Sequence, residues 1–233
     1  MVIRGICFDK DGTLFDFTAT WSVWAQAFLS RMSDGDAAQT ARLSAAIGFN
    51  HERGSFAPDS LVIAGTAGEV AAALAPHLPT LDAETLLHML NEEAARAPQR
   101  EAVPLIPLLK GLRARGLALG VATNDAEMPA RAHLDAAGVT DLFDFIAGYD
   151  SGFGGKPAAG QLLGFAHHAN LDPQQIVMVG DSTHDLHAGR AAGMRCVGVL
   201  TGMATRDDLA PHAEVVLGDI GELPAWLETQ AVV

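Results

Sequence analysis

The chain has 233 residues, 49% of them hydrophobic, and a formal net charge of −13. That length holds one large domain or a core domain with an insertion, and that hydrophobicity excludes a disordered chain. The acidic balance excludes nucleic acid as a partner, because phosphate backbones are gripped by Lys/Arg surfaces, but it tolerates a small anion held by a metal and a few cations.

In chain order, the first element is the apolar run Val2-Ile3-Arg4-Gly5-Ile6-Cys7-Phe8, a short and mostly buried strand. Residues 17–98 are Ala-rich, hold no convincing strand and read as four helices punctuated by Pro58, Pro76, Pro79 and Pro98. The first of these, near 18–32, sets Trp21, Trp24, Ala25 and Phe28 on one face, a pattern read as core packing. The last follows an Asp82 N-cap and stacks Leu86, Leu87, Leu90 and Ala94. Beyond them strands and helices alternate: strands at 117–122, 143–147, 176–179, 195–199 and 214–217, and helices at 127–137, 158–169 and 183–192. Continuous apolar strands separated by helices predict a doubly wound parallel sheet covered on both faces, with the loops after the strands gathered along one edge. The expected division is a core of residues 1–16 and 99–233 with a helical insertion at 17–98.

Cys7 and Cys196 lie in apolar runs and read as two buried thiols of a reducing compartment. No secretory signal fits ahead of an acidic motif at position nine, and the most apolar stretch, 61–75, is too short to span a bilayer, so the expectation is a cytoplasmic protein without membrane contacts.

Four constellations carry chemistry. Asp9-Lys10-Asp11-Gly12-Thr13-Leu14 follows the first strand, and residues two apart share a face, so Asp9 and Asp11 look into one crevice while Lys10 points away. Asp-Gly by itself is also a common turn signal. Thr123-Asn124 closes the strand 117–122, where a hydroxyl and exposed N–H groups make an anion cradle or simply cap a helix. Lys156 sits between a Gly-rich loop and Pro157. Gly180-Asp181-Ser182-Thr183-His184-Asp185 ends another buried strand and delivers two acids. Asp9, Asp11, Asp181 and Asp185 total four negative charges if ionised, Lys156 offsets one, and a phosphate would add nearly two. Such a cluster needs a divalent cation, and an all-oxygen donor set favours Mg²⁺ over zinc.

The order and type of these motifs resemble the haloacid dehalogenase-like (HAD) hydrolase superfamily, in particular its phosphoglycolate phosphatase-like branch with a helical cap. The resemblance spans nearly the whole chain and implies a Rossmann-like core with residues 17–98 as the cap. It also implies a Mg²⁺-dependent phosphatase in which Asp9 is the nucleophile and Asp11 the general acid and base. Asp9 and Asp181 would give carboxylate ligands, Asp11 its backbone carbonyl, and Asp185 would position the metal's water shell. Thr123, Asn124 and Lys156 would bind the phosphoryl group. The substrate would be a small phosphorylated metabolite, and the protein a monomer or homodimer. A phosphosugar mutase of the same superfamily, or an idle binding protein on this fold, are the alternatives.

The loop 48–58 is the one segment of the insertion offering a cation, a His and an amide together, so Arg53 and His51 are expected to contact the substrate's non-phosphate end. His184 and His187 read as helix-surface residues, and Asp16 as an N-cap at the entry to the insertion.

Overall fold

The computed structural model describes residues 2–230; Met1 and residues 231–233, assigned to the core above, lie outside the described residues. The chain begins with β1 (Gly5–Phe8) and enters the insertion through α1 (Phe17–Ser33), α2 (Ala37–Ala46), β2 (Phe49–Asn50), β3 (Ser55–Phe56), α3 (Ala67–Leu74) and α4 (Ala83–Arg96). It returns through α5 (Leu105–Ala114), β4 (Ala118–Ala122), α6 (Glu127–Ala136), β5 (Phe145–Ala147) and α7 (Gly160–Ala169). β6 (Ile176–Gly180), α8 (Thr183–Ala191), β7 (Arg195–Val199), α9 (Arg206–Leu209), β8 (Val215–Leu217) and α10 (Leu223–Gln230) complete it.

Six strands form one sheet in the order β5-β4-β1-β6-β7-β8, every neighbouring pair parallel. The chain leaves β1 toward one edge, through β4 and β5, then crosses to the other side for β6, β7 and β8. The reversal places a crevice at the carboxyl ends of β1, β4 and β6, where open α/β sheets bind ligands. Period-two alternation sorts the side chains. Ile6 and Phe8 pack with Leu119, Val121, Val177 and Val179 beneath α5, α6 and α10, while Cys7 and Met178 meet Phe165 and Ala188 of the helices opposite. Gly120 lets α7 settle on the sheet, since a Cβ there would stand 2.7 Å from the Phe165 ring. Both cysteines are buried and free.

The insertion has a separate apolar cluster in which Trp24, Phe28, Leu43, Leu74, Leu86 and Leu90 interlock. Asp16, Asp36, Thr66 and Asp82 cap its four α-helices. Contrary to the expectation that this segment lacks strands, β2 and β3 pair as an antiparallel hairpin. Gly48 and Gly54 take positive φ of 65° and 64°, and Asn50 Oδ1 accepts from the Arg53 backbone N–H at 2.9 Å. Two-residue strands carry too few positions for a period-two signal, which hides them in the sequence. Phe49 and Phe56, their rings 4.9 Å apart, turn inward to the cluster.

The two chain crossings into the insertion run side by side. Phe15 pairs with Glu101 in an antiparallel bridge, the Asp16 backbone N–H donates to the Arg100 carbonyl at 2.8 Å, and Arg100 forms an ion pair with the Asp16 carboxylate. Phe28 is fully buried at the centre of the insertion's cluster, stacked on Trp24. Phe28→Ala should therefore cost about 3–5 kcal/mol of unfolding free energy by urea titration; a loss below about 1 kcal/mol would mean that the helices collapse into the space.

Candidate active site

β1 ends at Phe8, and the Asp9 backbone N–H donates to the Val179 carbonyl of β6 at 2.8 Å, which carries the acidic segment across the crevice. Gly12 takes φ +82°, turning the chain so that Phe15 can return beside Glu101. It also makes room: a Cβ on Gly12 would lie 2.4 Å from an Asp181 oxygen, and one on Gly202 only 1.6 Å away. These two backbone surfaces cradle the Asp181 carboxylate, and Thr13 Oγ1 donates to it at 3.3 Å.

The structure brings Asp9, Asp11, Thr123, Asn124, Lys156, Asp181 and Asp185 to one cavity at the sheet edge. Lys156 Nζ sits between two carboxylates, 2.5 Å from Asp9 Oδ1 and 2.6 Å from Asp185 Oδ1. The other Asp185 oxygen accepts from the backbone N–H and hydroxyl of Ser182, at 3.0 and 2.7 Å, so the capping box of α8 fixes its rotamer. One oxygen from each of Asp9, Asp181 and Asp185 lies within 4.8 Å of the others, an all-oxygen group suited to a hard cation.

Burial sets the electrostatics. It pushes the Asp9 carboxyl up to about 7, against the pull of Lys156 and with the push of Asp185 and Asp11. Burial likewise raises Asp181 well above the carboxylate range, reinforced by Asp9 and Asp185. It works against the charge on Lys156, but Asp185 and Asp9 outweigh it and raise that ammonium's pKa.

Lys10 departs from the sequence expectation. Its backbone position points it away from Asp9, yet its long stem is wholly buried and swings the ammonium back to Asp11 Oδ2 at 2.7 Å and Asp125 Oδ2 at 3.2 Å. It also donates to His133 Nδ1 at 2.9 Å, while His133 Nε2 donates to the Ala94 carbonyl of α4 at 2.7 Å. Burial and the Lys10 charge depress His133 to about 4, so the ring is neutral at pH 7. Burial raises Asp125 to about 6, partly countered by Lys10. Asp125 stands next to Thr123-Asn124 and was within reach of sequence reasoning; His133 carries no local signal. Asp11 Oδ1 is buried without a hydrogen-bond partner among the described residues and belongs to the cavity lining.

Asn124 and the hairpin residues sit differently from one another. The Asn124 amide is engaged in clamping chain segments: Nδ2 donates to the carbonyls of Ala64 at 2.7 Å and Lys156 at 2.9 Å, and Oδ1 accepts from the Lys156 N–H at 2.7 Å. The side chain thus holds the Lys156 loop in place, while Asn124 itself lines the cavity beside Thr123. His51 and Arg53, expected to contact the substrate, lie exposed at the tip of the β2–β3 hairpin and are not among the residues that line the cavity. The insertion's wall is built instead from Phe17, Trp21, Trp24, Val62, Val70 and Leu90. Trp24 serves the core, as expected, but it and Trp21 also face the cavity. Exposed His184 lies at the mouth, whereas His187 stands edge-on to His212. Asp16 caps α1 as expected, accepting from Ala19 N at 2.8 Å.

Comparison with known proteins agrees with this geometry. IndB of Dickeya dadantii, named a "Probable phosphatase", is 29% identical over 94% of this chain and 90% of its own length. Phosphoglycolate phosphatase of Rhodospirillum rubrum is 34% identical, but over only 52% of this chain and 51% of its own. CbbY of Rhodobacter sphaeroides, solved with phosphate, superposes with a TM-score of 0.75 at 22% identity, covering 97% of this chain and all of that one. β-Phosphoglucomutase of Clostridium difficile superposes at 0.68 with 18% identity over the full length of both chains; at such identities these two establish the fold. The haloacid dehalogenase-like hydrolase family pattern matches residues 3–193, a span that contains every acid of the cavity, and the chain belongs to that family as a phosphatase-type enzyme.

Proposed function

We propose that the protein hydrolyses a small phosphomonoester with Mg²⁺, through a phosphoryl group carried on Asp9, residues 17–98 acting as a cap. The observation that supports this best is the meeting of Asp9, Asp11, Asp181, Asp185 and Lys156 in one buried pocket at the sheet edge. Asp9, Asp181 and Asp185, with the Asp11 carbonyl, would hold the ion. Bound there, Mg²⁺ supplies positive charge that keeps Asp9 ionised and offsets the charge of the phosphoryl oxygens.

Lys156 orients the Asp9 carboxylate through one oxygen and remains charged, so its ammonium can neutralise a phosphoryl oxygen once the substrate enters. Asp9 attacks phosphorus in line as the bond to the leaving oxygen breaks. Asp11, with its unpartnered Oδ1 in the cavity, gives that oxygen a proton and then takes one from the water that attacks phosphorus and splits the Asp9 acyl phosphate, releasing inorganic phosphate and the free Asp9 carboxylate. Thr123, 2% exposed beside Asp9, supplies a hydroxyl to the same end of the cavity. Phe17, Trp21, Val62 and Leu90 cover the acidic end with an apolar wall that keeps bulk water from the reacting groups. A mutase must also bind a phosphorylated sugar as acceptor, and the cap wall offers no cation for a second phosphate.

Asp9→Asn should lower phosphate release by about 10³-fold or more, and acid-quenched wild-type enzyme, but not the variant, should yield a phosphorylated Asp9 peptide. Near wild-type turnover by Asp9→Asn would end the covalent reading. Asp11→Asn should slow alkyl phosphates by roughly 10²–10⁴-fold but p-nitrophenyl phosphate far less, because nitrophenolate leaves without a proton.

The acid shifts give a metal prediction with a definite sign. Carboxyls with folded pKa values raised above the unfolded ones stabilise the metal-free fold at low pH and lose that contribution as pH rises, for Asp9 through about 7. Mg²⁺ competes with the same protons. The rise in unfolding temperature on adding Mg²⁺ should therefore be small at pH 5.5 and several-fold larger at pH 8; an increment that is flat or falls with pH would contradict the assignment.

A further inference from the structure

Charge is distributed unevenly between the two ends of this cavity. The sheet end holds five carboxylates, those of Asp9, Asp11, Asp125, Asp181 and Asp185, and one lining ammonium, Lys156, which is shared by Asp9 and Asp185. The second buried ammonium, Lys10, is taken up by Asp11, Asp125 and His133. The cap end is apolar and aromatic. The insertion contains four arginines and no lysine. Arg31 pairs with Glu93, Arg42 bonds Gln39, Arg96 pairs with Glu92, and Arg53 stands on the exposed hairpin tip. None of the four lines the cavity.

Two neutral polar atoms interrupt the apolar wall. Trp21 Nε1–H and Asn91 Oδ1 are both buried without a hydrogen-bond partner among the described residues, and both residues line the cavity. Such groups are costly to bury unless something pairs with them. One is a donor and the other an acceptor, and neither carries charge. Trp21 lies on the leaving-group side, its ring centroid 5.8 Å from Lys10 Nζ and so beside the Asp11 pair.

Resting on the phosphatase reading above, we propose that the alcohol released by this enzyme is uncharged, with a short apolar stem and a group that both accepts and donates a hydrogen bond, such as an amide, and that it is not the carboxylate-bearing alcohol of phosphoglycolate. The accepting atom takes the Trp21 indole N–H, and the donating atom binds Asn91 Oδ1. A leaving-group carboxylate would enter a largely buried space beside five acids and meet no unpaired Lys or Arg. It could accept from Trp21, but its charge would be opposed by the acids around it with no compensating ion pair.

The test uses the full chain with saturating Mg²⁺ and three phosphate esters of similar size: 2-phosphoglycolate, its amide analogue 2-phosphoglycolamide, and n-propyl phosphate. Release of inorganic phosphate is followed for each. The amide should exceed phosphoglycolate at least 100-fold in kcat/KM, and propyl phosphate should also exceed it. Trp21→Phe, which keeps the ring and removes only the donor, and Asn91→Leu should each reduce the amide's advantage over propyl phosphate about fivefold, mainly through KM. Phosphoglycolate turning over as well as the amide would overturn the inference while leaving the phosphatase reading intact, and so would variants that leave the amide advantage unchanged. Release of phosphate from none of the three, nor from p-nitrophenyl phosphate, would overturn the phosphatase reading and the inference with it.

Discussion

Everything at the carboxyl edge of this sheet depends on burying too much negative charge in one place. Five carboxylates face two ammonium groups inside the protein, a net of three negative charges if all are ionised. Isolated buried charges of that kind are not tolerated, so each lysine is divided between two acids, Lys156 between Asp9 and Asp185, Lys10 between Asp11 and Asp125. The two lysines keep Asp9 and Asp11 in separate local balances. Asp9 belongs to the cluster whose charge a cation would complete, and Asp11 to one that is already paired on one oxygen and free on the other.

The same arrangement ties the insertion to the chemistry. His133 is held neutral in a buried position, accepting from Lys10 on one nitrogen and donating to the Ala94 carbonyl at the end of α4 on the other. Asn124 makes a second tie, linking the Ala64 carbonyl of the insertion to the backbone of Lys156. Each tie joins a backbone group of residues 17–98 to a residue that holds one of the two lysines in place. The insertion is joined covalently to the sheet through the paired crossings at Asp16 and Arg100, and α4 also packs on α6.

The cavity is thus made by two layers with opposed composition. The sheet supplies acids and lysine at strand ends, where helix caps and glycine cradles fix them. The insertion supplies aromatic and aliphatic side chains already used in its own core, so that Trp24 both packs on Phe28 and faces the cavity. A wall assembled from core residues is uncharged by construction, so what it presents to the cavity is shape and neutral polar groups.

By itself the sequence determined the parallel sheet, the helical insertion with its Asp16 and Asp82 caps, and the four acids and the lysine that converge. Those features are local: a strand that ends in Asp-x-Asp-Gly, or a Gly-Asp followed by a helix, writes its position in residue type and spacing within a few residues. The tertiary structure decided the rest. The β2–β3 hairpin was too short to show a period, and the swing of Lys10 depended on Asp125 and His133, which lie more than a hundred residues away. Asn124 became a clamp because Ala64 and Lys156 happened to arrive on either side of it. His51 and Arg53 looked well suited to a substrate by chemistry, but which way a hairpin faces is set by the packing of Phe49 and Phe56, and that packing turned them to solvent. Residue type states what a side chain can do; only contacts between distant segments decide what it meets.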